Sequence, residues 1–213
     1  MKKIYIFLSS LFIFVSSLIT SYANVTPYHV VLDAGHGGMD GGSNVGDIKE
    51  SDLVLEIVLN LKEILEKNGF IVTLTRTSKD ALCEGKFIKK VDMNNRIKII
   101  NNSNADLALS IHLNYYSDSK YRGAQVFYSD NNEQNYNLAF SIQNTFINEL
   151  RNTNRKVVVR NNIYLLNRVL IPICIIECGF MSNFNELTLL KTKEYQQSLS
   201  IIIMNGIISY LNR

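Results

Sequence analysis

Short apolar segments alternating with helix-patterned ones narrow the folds open to this chain more than any other feature. "HVVLDAG" (29–35), "FIVTLTR" (70–76), "ADLALSIHLN" (105–114), "AQVFYS" (124–129) and "ICIIECGF" (173–180) read as strands, the third apolar enough to be central. Between the first two, "SDLVLEIVLNLKEILEKNG" (51–69) puts Leu53, Ile57, Leu61, Ile64 and Leu65 on one helical face. Ser51 or Asp52 near its start and Gly69 past its end fit the usual caps. Strand, loop, helix and strand in that order predict a right-handed parallel crossover. Further helices are expected over about residues 88–102, in "NYNLAFSIQNTFINELR" (135–151) and in "EYQQSLSIIIMNGIISYLN" (194–212), while "VVVRNNIYLL" (157–166) is irregular or partly extended. The expected fold is therefore α/β: a single domain whose mostly parallel, twisted sheet of about six strands has helices on both faces. A length of 213 residues suits one domain with a substantial core.

Residues 1–23 stand apart from this pattern. They carry two lysines, an apolar run and then Ser21-Tyr22-Ala23, the order of a secretory signal with a cut after Ala23. The run is long for such a segment, so an uncleaved membrane anchor is the alternative. Both imply export across the cytoplasmic membrane, with residues 24–213 as the folded domain and membrane contact only through the N-terminal segment. Removing Lys2 and Lys3 with no acid takes the formal charge from +3 to +1 (3 − 2), a balance that gives nucleic-acid binding no support. The cysteines, Cys83, Cys174 and Cys178, are odd in number. On one strand Cys174 and Cys178 would sit roughly 13 Å apart, too far to bridge.

The first strand runs into "GHGGMDGG", five glycines and a histidine between positions 35 and 42. A glycine-rich turn between strand and helix also opens nucleotide-binding folds, but the spacing is wrong here. Gly35 and Gly37 match a dinucleotide fingerprint, whereas its sixth place is Asp40; a phosphate-binding loop would need Gly-Lys-Ser/Thr, and after the first strand no lysine appears until Lys49. Asp40 and Asp47 would also repel phosphate.

Histidines are scarce, at 29, 36 and 112. His36 lies just past the end of the first strand and His112 near the end of the third, and ligands gather at the carboxyl ends of strands in open parallel sheets. Glu50 before the first helix and Glu177 near the end of "ICIIECG" occupy comparable places. Two imidazoles and a carboxylate make a three-ligand zinc site with an open position for water, and a second carboxylate can carry protons. Other readings stay open: a turn role for His36, a favourable charge at a helix start for Glu50, an ion pair for Glu177. Glu177 fits such a role least well, because an acid between "ICII" and "CGF" is expensive to bury without a partner. His29, at a strand start without companions, reads as structural or exposed. Asp33 either orients a ligand histidine or holds the glycine loop.

"VVLDAGHGGMDGG", a glutamate fourteen residues after its histidine, "GFIVTLTR", "NNRIKIINNSNADLALSIHLN" and "IPICIIECGFMSN" followed by Glu186 together resemble the zinc-dependent N-acetylmuramoyl-L-alanine amidases. The ordered motifs span about residues 28–213. The resemblance implies cleavage of the amide between the lactyl group of N-acetylmuramic acid and L-alanine in peptidoglycan, with one Zn2+ per chain. By position, His36, Glu50 and His112 match the family's metal ligands and Glu177 its catalytic glutamate; it is the resemblance, not the spacing, that divides the two acids so. The chain also looks like the compact spore-cortex members, in which stem-peptide removal prepares muramic-δ-lactam for germination. Some family members require an activating accessory protein. Leu113 and Cys178 depart from the family pattern without removing a ligand. Asn114, Tyr115 and Tyr116, just past the third strand, are candidates for substrate contact.

Three alternatives follow from the same residues. One is a vegetative wall autolysin of this family, another a catalytically silent wall-binding protein, whose mark would be a missing ligand or acid. The third uses Cys178 as a nucleophile, and the twofold period of a strand argues against it, since Glu177 and Cys178 must face opposite ways.

Overall fold

β1 (His29–Ala34) is buried along nearly its whole length because it lies inside the sheet. The computed structural model describes residues 26–212; the segment 1–23, read as a signal or anchor, lies outside them. The remaining strands are β2 (Asn44–Val45), β3 (Ile48–Lys49), β4 (Ile71–Leu74), β5 (Leu107–Asn114), β6 (Gln125–Tyr128), β7 (Val158–Val159) and β8 (Ile173–Phe180). The helices are α1 (Glu50–Lys67), α2 (Lys89–Asn101), α3 (Glu133–Thr145), α4 (Phe184–Leu190) and α5 (Lys193–Leu211), with a π turn, Phe146–Leu150, continuing α3.

Six strands form one sheet in the order β4-β1-β5-β8-β6-β7, and β2 pairs with β3 in a small hairpin. β4, β1, β5 and β8 are mutually parallel, β6 runs antiparallel to β8, and β7 runs parallel to β6. The reversal at β6 has a simple cause: the connection over 115–124 holds no helix to carry the chain back across the sheet.

Alternation along the strands divides the core. Val30, Leu32, Leu107, Leu109, Ile111, Cys174, Ile176 and Cys178 pack against α1, α3 and α5. Val31, Ala108, Ile173 and Ile175 face the other way, against Ile100 of α2 and Leu165 and Leu166 of the loop before β8. Helices thus cover both faces, three on one and a thinner layer on the other. Toward the carboxyl ends of β1, β5 and β8, the thin-face positions turn polar, as Asp33, Ser110, His112 and Glu177.

The capping expectation for α1 needs correction. The helix begins at Glu50, with Lys49 as N-cap and no side-chain cap, so Ser51 and Asp52 lie inside its first turn. The glycine loop caps it instead: the Glu50 and Ser51 amides donate to the carbonyls of Ser43 (2.9 Å) and Gly41 (3.0 Å). All three cysteines are free, Cys174 and Cys178 buried under the three-helix layer. Among the described residues, no helix is long and apolar enough to cross a membrane.

Candidate metal centre

β1 stops at Ala34, and a left-handed turn begins two residues later, with φ of 60° at His36, 136° at Gly37 and 59° at Gly38. The turn closes through paired Gly37 and Asp40 amides and carbonyls (2.8 and 3.1 Å). A non-glycine residue at positive φ is uncommon, and here it swings the imidazole over the sheet end. Four of the loop's glycines, Gly35, Gly37, Gly38 and Gly42, are demanded by space, two of them by the donor side chains themselves. A Cβ on Gly35 would lie 2.3 Å from the His112 ring, and one on Gly42 would lie 2.6 Å from Glu50 Oε2 and 2.7 Å from the His36 ring.

The hairpin β2–β3 delivers Glu50 from the other side. Its Oε2 accepts from the Ser43 amide (2.9 Å) and its Oε1 from the Leu113 amide (3.1 Å). The same Oε1 lies 3.2 Å from His36 Nε2 and 3.1 Å from His112 Nδ1. The two rings meet edge to face at 4.9 Å. His36, Glu50 and His112 thus offer ligand atoms that all lie within 4.8 Å of one another. Ligands about 2.0–2.2 Å from a tetrahedral zinc stand roughly 3.3 Å apart, so this donor set fits the ion in both chemistry and spacing.

Electrostatics agree. Burial alone would raise the Glu50 carboxyl, but hydrogen bonds and charge from His112 and His36 hold it well below the carboxylate range. Burial alone would lower His36, and Glu50 and Asp40 outweigh it, raising the imidazole above its ordinary value. Asp40 Oδ1 stands 3.0 Å from His36 Nδ1, on the side away from Glu50.

Glu177 is the direct register partner of His112 across β5 and β8. Its Oε2 is buried without a hydrogen-bond partner among the described residues. Burial pushes its carboxyl up to about 7, opposed by the charge of His112 and reinforced by that of Glu50. Two depressions meet at this group. One, of about 310 Å3, lies on the thin face with Met93, Phe127 and Ile163 on its wall; the other, of about 410 Å3, is a shallower trough reaching Ser43, Asn114 and Tyr115.

His36, Glu50, His112 and Glu177 therefore converge, with Asn114 and Tyr115 at the rim. Tyr116 instead packs edge-on against Tyr121 at 4.5 Å. His29 is remote, its Nε2 2.8 Å from Thr73 Oγ1. Cys178 sits on the opposite face of the sheet, where burial raises its thiol well above the ordinary range, so a thiol nucleophile is excluded. Of the two roles open to Asp33, the structure supports the loop. The carboxylate accepts from Thr75 Oγ1 (2.7 Å), Ser110 Oγ (2.6 Å) and Arg96 Nη1 (2.8 Å), and the same Arg96 donates to the carbonyls of Ala34 (2.6 Å) and His36. Burial would raise Asp33, yet Arg96 and the two hydroxyls keep it below the usual range. Sequence reasoning missed Arg76, Arg96 and the place of Asp40 beside His36. The only cue for Arg76 was its position at the end of "FIVTLTR".

Comparison with known proteins agrees with this geometry. Residues 30–209 match the family model described as N-acetylmuramoyl-L-alanine amidase. The germination-specific N-acetylmuramoyl-L-alanine amidase of Bacillus subtilis is 39% identical over 186 residues, covering 85% of this chain and 78% of that protein. The sporulation-specific amidase of the same organism is 29% identical, covering 86% and 68%. Among solved structures, the CwlD amidase from Clostridioides difficile, in complex with the GerS lipoprotein, superposes with a TM-score of 0.83 at 39% identity, over 87% of this chain and 98% of that one. With its matched span, its sheet order and its convergent histidines and glutamates, the chain belongs to the N-acetylmuramoyl-L-alanine amidase family.

Proposed function

We propose that residues 24–213 form a peptidoglycan amidase that binds one Zn2+ through His36, Glu50 and His112. It hydrolyses the amide between the lactyl group of N-acetylmuramic acid and L-alanine. The observation that carries this reading is the three-donor cluster with the buried, unpartnered Glu177 Oε2 beside it.

When bound, zinc polarises a carbonyl oxygen and acidifies water, which opens an amide to attack at neutral pH. Glu177 does the proton work. It takes a proton from the attacking water as oxygen bonds to the lactyl carbonyl carbon, then returns it to the nitrogen as the C–N bond breaks. Burial raises this carboxyl, which favours its return of the proton to the leaving nitrogen. Asp40 keeps the His36 imidazole turned with Nε2 toward the other donors. Asn114 and Tyr115 border the trough in which the glycan would lie, whereas Tyr116 packs on Tyr121 beside it.

Similarity to germination- and sporulation-specific amidases supports a role in the spore cortex, where stem-peptide removal precedes muramic-δ-lactam formation. The lipoprotein complex of the CwlD relative supports an accessory partner. The segment 1–23 supports export and a wall-associated location, whether it is cleaved or kept as an anchor.

The test is digestion of purified peptidoglycan with zinc supplied. New amino groups are expected on L-alanine, and E177Q is expected to keep zinc while turnover falls about 10²–10⁴-fold. New termini on another residue would refute the assigned bond, and an E177Q variant as fast as the parent would remove Glu177 from proton transfer.

A further inference from the structure

Arg76 follows β4 and is 3% exposed, yet its hydrogen bonds all run to main-chain carbonyls. Nε donates to Ala34 (2.9 Å), Nη1 to Ser78 (2.9 Å), and the single atom Nη2 to both Gly35 and Ser51 (2.8 Å each). Gly35 immediately precedes His36, and Ser51 immediately follows Glu50. One nitrogen therefore clasps the backbone beside two of the three donors.

Arg96 offers an instructive contrast. It pairs with Asp33 and Asp92 and holds the carbonyls of Ala34 and His36, but among the described residues none of its hydrogen bonds reaches α1. Arg76 alone of the two joins the glycine loop to the helix carrying Glu50. The loop also packs on its stem: a Cβ on Gly37 would lie 3.3 Å from Arg76 Cδ and Nε. Burying a guanidinium without a direct carboxylate partner is costly, and burial, with the charge of Arg96, pulls its pKa down to about 10 against Asp33, Asp92 and Asp52. A charge kept there at such cost, with its donors on these carbonyls, serves geometry.

We propose that Arg76 is a positioning residue for the metal centre: by clasping Gly35 and Ser51 with one nitrogen it sets the His36–Glu50 spacing, and with it the affinity and coordination geometry for a divalent cation. A lysine cannot replace it, because a compact ammonium cannot span four carbonyls in a planar fork. The inference rests on the assignment of His36, Glu50 and His112 as ligands.

R76K and R76Q test it, with T75V as comparator. T75V removes the hydrogen bond from Thr75 to Asp33 in the same buried region while leaving the Gly35 and Ser51 carbonyls clasped. Zinc affinity is measured by chelator competition, coordination geometry by the visible spectrum of the Co2+-loaded protein, and stability by urea unfolding of the metal-free protein. Either Arg76 variant is expected to bind zinc about 10–100-fold more weakly, with a shifted or weakened cobalt spectrum. T75V is expected to lose stability and keep both metal readouts. Parent-like affinity and spectrum in the Arg76 variants would overturn the proposal, as would an equal affinity loss in T75V. Failure of both Arg76 variants to fold would also overturn it, since the role would then be structural. A parent chain that binds no zinc would instead refute the ligand assignment beneath.

Discussion

Gly35 shows how much of the proposed metal site lies outside its ligands. The His112 ring occupies the space a side chain at 35 would need, with 2.3 Å to the nearest ring atom. G35A must displace either the β1 end or the imidazole. We expect it to weaken zinc binding and to cost about 1–3 kcal/mol of stability, read by chelator competition and urea unfolding. Sequence alone could not rank the five glycines, because the demand on Gly35 comes from a residue 77 positions away. The donors were more legible: histidines are scarce enough for position to carry information, and an acid inside "ICIIECG" is conspicuous. Arg76 and Arg96 were not legible. Their partners are chiefly carbonyls, and a carbonyl has no letter in the sequence.

At the scale of elements, α1 carries the clearest signal and much of the packing. Leu53, Ile57, Leu61 and Leu65 are buried as their spacing predicts, with Leu61 fully enclosed, whereas Ile64 at the edge of that face is only half-buried. L61A is expected to cost about 2–5 kcal/mol, seen as a lower urea midpoint, while zinc affinity of the folded protein stays near the parent value. Long amphipathic or wholly apolar segments were read correctly, and α2 was placed within a residue at each end. The sequence did not reveal α4 or the β2–β3 hairpin, since seven-residue and two-residue elements are too short to display a period. That hairpin helps place Glu50 at the first position of α1, so the part of the fold least visible in the sequence helps set one of the three donors.

For the whole molecule, the site predicts a pH dependence that a bound metal would oppose. Glu177 and His36 both have folded values above their ordinary ones. In each case the folded state holds its proton more tightly than the unfolded chain. Stability of the metal-free protein therefore falls as pH rises from about 4 through neutrality. Asp33 and Glu50 are shifted the other way, so the stability they contribute is present above the ordinary carboxylate value of about 4 and lost as pH falls below it. We expect metal-free protein to have a higher urea midpoint at pH 5.5 than at 7.5. Zinc, which needs deprotonated ligands, is expected to raise the midpoint more at 7.5. Equal midpoints for the metal-free protein at the two pH values would show that neither group titrates as its surroundings imply.

The pairing of His112 with Glu177 also acts as a parity check on folding. A slip of one residue between β5 and β8 would turn Cys178 into the cleft and drive Glu177 into the apolar layer beneath three helices. Any slip by an odd number of residues inverts both faces at once, because the side-chain period is two. A single-residue insertion or deletion within β8 upstream of Glu177 is therefore expected to cost turnover and core packing together, read by peptidoglycan digestion and urea unfolding.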